Sequence, residues 1–138
     1  MKENNKKSLK SNSDSEHEIV VVDDDSVSAY LIKEIISTNY YRIVLKKDGQ
    51  EASDYINSHH EKIDMVIMDV ILPRKDGIKT TEFIRKNKWK MPIIAVSADP
   101  DENNQKKCLE AGCNTFLAKP LNVERFLHII NEYLSVKA

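Results

Sequence analysis

Only two cysteines, three glycines and one tryptophan occur in the 138 residues, and positive and negative charges almost cancel at a formal net charge of -1. So small a charge makes no electrostatic case for nucleic acid or an anionic membrane, and neither is expected as a partner. No apolar run approaches the roughly 20 residues that cross a bilayer. Cys108 and Cys113 have no companion His or Cys ligands at metal spacing, so they read as two reduced thiols of a cytoplasmic protein. The opening MKENNKKSLK lacks an apolar h-region, and no secretory signal is expected. No long Gly/Ser/Pro linker and no internal repeat divides the chain. His17, His59, His60 and His128 all lie among polar residues and read as surface groups.

What is present is the balance of one soluble globular domain, 41% hydrophobic and 31% charged. Residues 1–17 are Lys, Asn, Ser and Glu with almost no apolar content, and are expected to be a disordered polar tail. Residues 18–138 are expected to form the folded domain, with no second domain expected after the last helical pattern.

Within that domain, four short apolar runs each end in a residue able to handle phosphate or a metal. Ile19-Val20-Val21-Val22 leads to Asp23-Asp24, Met65-Val66-Ile67-Met68 to Asp69, Ile93-Ile94-Ala95-Val96 to Ser97, and Thr115-Phe116-Leu117-Ala118 to Lys119-Pro120. Apolar residues at every position, not alternate ones, mark strands buried on both faces, as in a parallel sheet. Residues 41–45 read as a further strand. Helical patterns lie between: Val27, Leu31, Ile32, Ile35 and Ile36 in the first; Ala52, Tyr55 and Ile56 after the Gly49 turn; and a third after the turn at residues 72–77, through about Lys86. Asp99 reads as an N-cap with Pro100 at the first helical position and Glu102 at the third, and Gly112 as that helix's left-handed stop. Asn122 caps a last helix with the stripe Val123, Phe126, Leu127, Ile130 and Leu134. Five strand-then-helix units give an α/β fold, a flavodoxin-like doubly wound five-stranded parallel sheet of order 2-1-3-4-5 with helices on both faces.

In that order the first and third strands are neighbours, and ligands bind at their carboxyl ends. Asp23, Asp24 and Asp69 should therefore face one crevice flanked by Ser97 and Lys119. Three carboxylates repel one another unless a cation intervenes, and an open set of oxygen ligands suits Mg²⁺, or Mn²⁺ in its place. Asp69 could then attack phosphorus and become an acyl phosphate while Lys119 neutralises the phosphoryl oxygens. Each residue has a plainer reading: Asp25 as the N-cap before Ser26, Asp69 as a turn residue, Lys119 as a surface lysine, Ser97 as a strand-end hydroxyl. Their common position at strand ends is what carries weight.

Over about residues 18–136 the chain resembles the receiver domain of two-component response regulators. The resemblance rests on Val22-Asp23-Asp24, Met68-Asp69-Val70, Leu72-Pro73, Asp76-Gly77, Ser97-Ala98, Phe116 and Lys119-Pro120. It implies a signalling switch in which Asp69 receives a phosphoryl group from a phosphohistidine of a histidine kinase or phosphotransfer protein. It implies Mg²⁺ held by Asp23, Asp24, Asp69 and the Ile71 carbonyl, with Ser97 and Phe116 as switch residues and a cis Lys119–Pro120 bond. Ile71 and Asp99 would flank the path of the hydrolytic water, with small Ala98 leaving the donor's approach open. Val27, Ser28 and Leu31, with Pro120 and Leu121 across the rim, form the expected partner face. Such a chain would be a stand-alone regulator or the receiver of a hybrid kinase, monomeric when unphosphorylated and without a DNA-binding output domain. Trp89 is expected only to cover an edge.

Two alternatives differ in class. Asp23-Asp24-Asp25-Ser26-Val27 fits the D-x-D-x-[T/V] signature of haloacid-dehalogenase-type phosphatases, with Asp23 and Asp25 as the working pair. Only Glu124 and Glu132 follow Lys119, however, where that family needs another acidic pair, and Asp69 would have no task. A flavodoxin-like FMN binder would need a Ser/Thr/Gly-rich phosphate cradle after the first strand, which is missing.

Overall fold

The computed structural model describes residues 17–37, 40–71 and 76–137. Residues 1–16 of the expected 1–17 tail and the turn residues Leu72, Pro73, Arg74 and Lys75 lie outside the described residues. Five strands, β1 (Glu18–Val22), β2 (Arg42–Lys46), β3 (Ile63–Asp69), β4 (Ile93–Ser97) and β5 (Thr115–Ala118), alternate with α1 (Ser26–Ile36), α2 (Gly49–His59), α3 (Gly77–Lys86), α4 (Glu102–Ala111) and α5 (Val123–Lys137). All strand pairs are parallel and the order is β2-β1-β3-β4-β5, the order expected. β2 runs one residue later than the apolar pattern suggested.

Successive side chains of a strand point to opposite faces, so each apolar run feeds two cores. Val20, Val22, Val66, Met68, Ile93 and Ala95 pack with Ala52, Ile56, Ile84 and Cys108 of α2, α3 and α4. Ile19, Val21, Met65, Ile67, Ile94 and Val96 pack with Ile32 and Ile36 of α1 and Phe126, Ile129 and Ile130 of α5. Burial on both faces explains why the runs show no polar alternation.

Several local expectations need correction. The cap of α4 is Asp101, whose carboxylate accepts from the Asn104 N–H at 2.7 Å. Asp99 stays outside the helix because its backbone is engaged elsewhere: its N–H donates to Ser97 Oγ, and its carbonyl accepts from Ser97 Oγ and Asn104 Nδ2. On α1 the buried face is Ala29, Ile32 and Ile36, leaving Val27 66% and Leu31 55% exposed; Val123 is likewise 50% exposed at the start of α5. His17 is no tail residue: its Nδ1 lies 2.8 Å from Asp64 and its ring stacks on Tyr40.

The amino ends of the strands carry a polar knot. Glu18 is fully buried and ion-paired with Arg42 at 3.0 Å and Lys62 at 3.8 Å, and it accepts from the Tyr55 hydroxyl. Nearby, Arg85 donates to the carbonyls of Gly112 and Trp89 and to Asn114 Oδ1, tying α3 to the α4–β5 turn. Trp89 is part of this end of the molecule, stacked on His60 with ring centroids 4.5 Å apart. Chemistry is thereby left to the opposite, carboxyl ends.

Candidate functional site

Register alone brings the candidate residues together. β1 and β3 place Val22 opposite Met68, so Asp23 and Asp69 leave the sheet side by side. β3 and β4 pair Asp69 with Val96, and β4 and β5 pair Ser97 with Ala118, so Lys119 follows two strands away. Backbone bonds hold these ends: Asp23 N–H to the Lys46 carbonyl, Val70 N–H to Val96, and Lys119 N–H to Ser97 at 2.8 Å.

Across that cleft Lys119 Nζ donates to Asp23 Oδ2 at 3.0 Å and to Asp69 Oδ2 at 3.1 Å. The Asp23 side chain is 1% exposed and that of Asp69 11%, so a single ammonium is shared by two largely buried carboxylates and leaves net negative charge between them. Burial pushes the Asp69 carboxyl above the usual carboxylate range; the charge of Asp23 adds to the rise, while Lys119 and the Ile71 N–H oppose it. Burial acts against the Lys119 ammonium too, but its bonds to Asp23 and Asp69 outweigh that and hold its pKa above the ordinary lysine value. The lysine is therefore charged at neutral pH and can give hydrogen bonds to an incoming anion.

Asp24 completes the cluster from the exposed side. One carboxylate oxygen from each of Asp23, Asp24 and Asp69 lies within 4.8 Å of the others. Hard oxygen donors in an open cleft fit Mg²⁺, which keeps several waters and uses few carboxylates, better than a closed cage. Asp25 stands apart: its Oδ1 accepts from the N–H groups of Val27 and Ser28 and caps α1. The phosphatase alternative would need that carboxylate for catalysis.

The remaining candidates are spread around the rim. Ser97 is fully buried, and its hydroxyl is engaged with the backbone of Asp99. Phe116 is half-buried against the core under α2, α3 and α4. Ile71 is exposed, with its N–H on Asp69 Oδ1 at 3.1 Å. Ala98 and Asp99 are exposed, and Lys119–Pro120 is cis. Of the expected partner face, Val27, Leu31 and Pro120 are exposed, whereas Leu121 packs against the core under α1 and α5. Ser28 turns inward, and its hydroxyl donates to Asp23 Oδ2 at 2.6 Å. Sequence spacing placed Ser28 on the rim; the signal that it serves Asp23 is its position five residues on, in the first turn of the helix that follows.

Comparison with known proteins finds similar chains and similar folds. The response regulator receiver domain family matches residues 19–131. The osmosensing histidine protein kinase SLN1 of Saccharomyces cerevisiae is 38% identical over 120 residues, 83% of this chain but 10% of that kinase. Hybrid signal transduction histidine kinase M of Dictyostelium discoideum is 33% identical over 119 residues, again 83% of this chain and only 5% of the relative. The polar-differentiation response regulator DivK of Brucella ovis, 28% identical, is instead matched over 94% of its length, by 84% of this chain. Among solved structures, the receiver domain of a sensor histidine kinase from Pseudomonas aeruginosa PAO1, with magnesium coordinated in its active site cleft, superposes with a TM-score of 0.77 at 31% identity, covering 86% of this chain and 98% of that one. The receiver domain of a Francisella response regulator gives 0.80 at 27% identity over 88% and 99% of the two chains.

Proposed function

The chain belongs to the response regulator receiver family, and from that membership we propose that it is a phosphoryl-accepting switch whose acceptor is Asp69. The observation that carries the reading is one ammonium bridging Asp23 and Asp69 at 3.0 and 3.1 Å beside a third carboxylate. Asp69 Oδ attacks phosphorus, the bond from phosphorus to the imidazole nitrogen of a phosphohistidine breaks, and its electron pair stays with that nitrogen. Asp23, Asp24, Asp69 and the Ile71 carbonyl would hold Mg²⁺ or Mn²⁺, which would supply charge neutralisation at the phosphoryl oxygens. Lys119 keeps a proton-bearing nitrogen on Asp69 before transfer and on the phosphoryl oxygen after it. Ser97 releases the Asp99 backbone to bond that oxygen, and Phe116 moves inward as it does so.

The donor is a histidine kinase or phosphotransfer protein in the cytoplasm, docking on Val27 and Leu31 with Pro120 on the far rim. Residues 18–138 constitute the receiver, either a stand-alone regulator, comparable in length to DivK, or part of a hybrid kinase, as in the Dictyostelium relative. The test is intact mass after incubation with a small phosphodonor and Mg²⁺. Wild type should gain one phosphoryl group, and both Asp69→Asn and chelation should abolish the gain. Stoichiometric acid-labile phosphate on Asp69→Asn would overturn the assignment.

A further inference from the structure

The Asp23 carboxylate is almost wholly buried, and a buried charge must be compensated by donors. Three reach it. The Asp25 N–H donates to Oδ1 at 2.9 Å, while Ser28 Oγ and Lys119 Nζ donate to Oδ2 at 2.6 and 3.0 Å. These donors are not equivalent. Lys119 is shared with Asp69, and in the reaction proposed above it follows the phosphoryl group, so its hold on Asp23 loosens at the moment that carboxylate is needed. Asp25 caps α1 and Ser28 lies in its first turn, an element that carries neither Asp69 nor Lys119. The 2.6 Å hydroxyl contact also lies in the range of charge-assisted O–H···O⁻ bonds.

We infer that Ser28 is a positioning residue for the metal-binding carboxylate: its hydroxyl fixes the orientation of Asp23, so that the free lone pairs of that group face the cleft whether or not Lys119 is in contact. The inference rests on the reading of the cleft as an Mg²⁺-dependent acceptor site and deepens it. Ser28 lies in the first turn, and the Asp25 cap already satisfies its N–H. Its hydroxyl is thus not required for the helix to start, and alanine is at least as good a helix former there.

Partners that orient a metal ligand typically contribute a factor of 10–100 in metal affinity. The experiment is calorimetric titration of the unphosphorylated full chain with Mg²⁺, for wild type, Ser28→Ala and Ser28→Thr. Thermal unfolding and labelling by a small phosphodonor across Mg²⁺ concentrations accompany it. Ser28→Ala should bind Mg²⁺ about tenfold more weakly with Tm little changed, Ser28→Thr should restore most of the affinity, and the labelling rate of Ser28→Ala should recover at saturating Mg²⁺. A small donor removes partner docking from the comparison. Equal Mg²⁺ affinity in wild type and Ser28→Ala, no rescue by threonine, or a rate that stays low at saturating Mg²⁺ would each overturn the role of the hydroxyl. A wild type that neither binds Mg²⁺ nor becomes labelled would instead overturn the reading of the cleft, and this inference with it.

Discussion

Replacing Gly77 by alanine should damage the phosphoacceptor from beneath. Gly77 opens α3, and its N–H donates to the Val70 carbonyl at 3.0 Å, drawing the helix start onto the end of β3. A Cβ at this position would stand 2.9 Å from Val70 Cα and 3.1 Å from Met68 Cγ, and would overlap the Asp69 carbonyl oxygen. Carbon atoms in good contact are about 3.5–4.0 Å apart, so the backbone carrying Asp69 must retreat by roughly 0.6 Å or more. Two effects follow. Overpacking of this kind costs about 2 kcal/mol, a Tm lowered by roughly 8 °C for a domain of this size. Displacement of a reacting group by about 1 Å can lower a rate 10²-fold, so labelling should slow by about tenfold at the smaller shift. The assay is the initial rate of labelling by a small phosphodonor at saturating Mg²⁺, well below the variant's Tm, so that the two effects separate. A Gly77→Ala protein with wild-type Tm and wild-type rate would show that the β3 end yields without consequence, and the steric argument would be wrong.

Three further outcomes are expected. Arg42→Met removes the nearest cation from buried Glu18 but leaves Lys62 and the Tyr55 hydroxyl, so urea unfolding should show a loss of about 2 kcal/mol while labelling of Asp69 at the far end of the sheet is unchanged; a loss under about 0.5 kcal/mol would mean that Lys62 alone compensates the charge. Burial pushes the Cys108 thiol up to about 12 and raises that of Cys113 as well, so neither should react with a thiol reagent at pH 8 until the protein is unfolded; rapid titration of two thiols in the native protein would contradict this. Ile71 presents an exposed apolar side chain two residues after Asp69, and Ile71→Asn should hasten loss of phosphate from the labelled protein by offering a hydrogen bond to water; equal phosphate half-lives would remove Ile71 as a shield.

The strands and their order were legible because burial on both faces leaves an unmistakable apolar run, and parallel strands admit few connections. The convergence of Asp23, Asp69 and Lys119 followed from order alone, since all three sit at strand ends. Helix starts were less legible. Asp99-Pro100-Asp101-Glu102 holds two candidate caps, and local propensity cannot choose between them. The choice falls to Ser97 and Asn104, which take up the Asp99 backbone and leave Asp101 to cap. Glu18 was less legible still. A glutamate at the edge of a polar segment looks like a solvated charge, and only the pairing of β1 with β2 brings Arg42 beside it.

Ser28 shows where the limit lies between reading a chain and reading a fold. Its spacing from Val27 and Leu31 suggests a shared exposed face, and for those two residues the exposure is real. A helix start, however, aims its first side chains back along the strand that feeds it. Asp23 ends that strand, buried and in need of donors, and a short hydroxyl five residues later is well placed to reach it. The pattern of apolar residues carries no trace of this, because a single polar contact between neighbours in a βα turn has no period. It becomes readable only once the strand end is known to hold an acid, at which point the first turn of each following helix is where further groups serving the cleft should be sought. By that criterion α3 serves through the missing side chain of Gly77 and α1 through the hydroxyl of Ser28, one by yielding space to Asp69 and the other by holding Asp23 still.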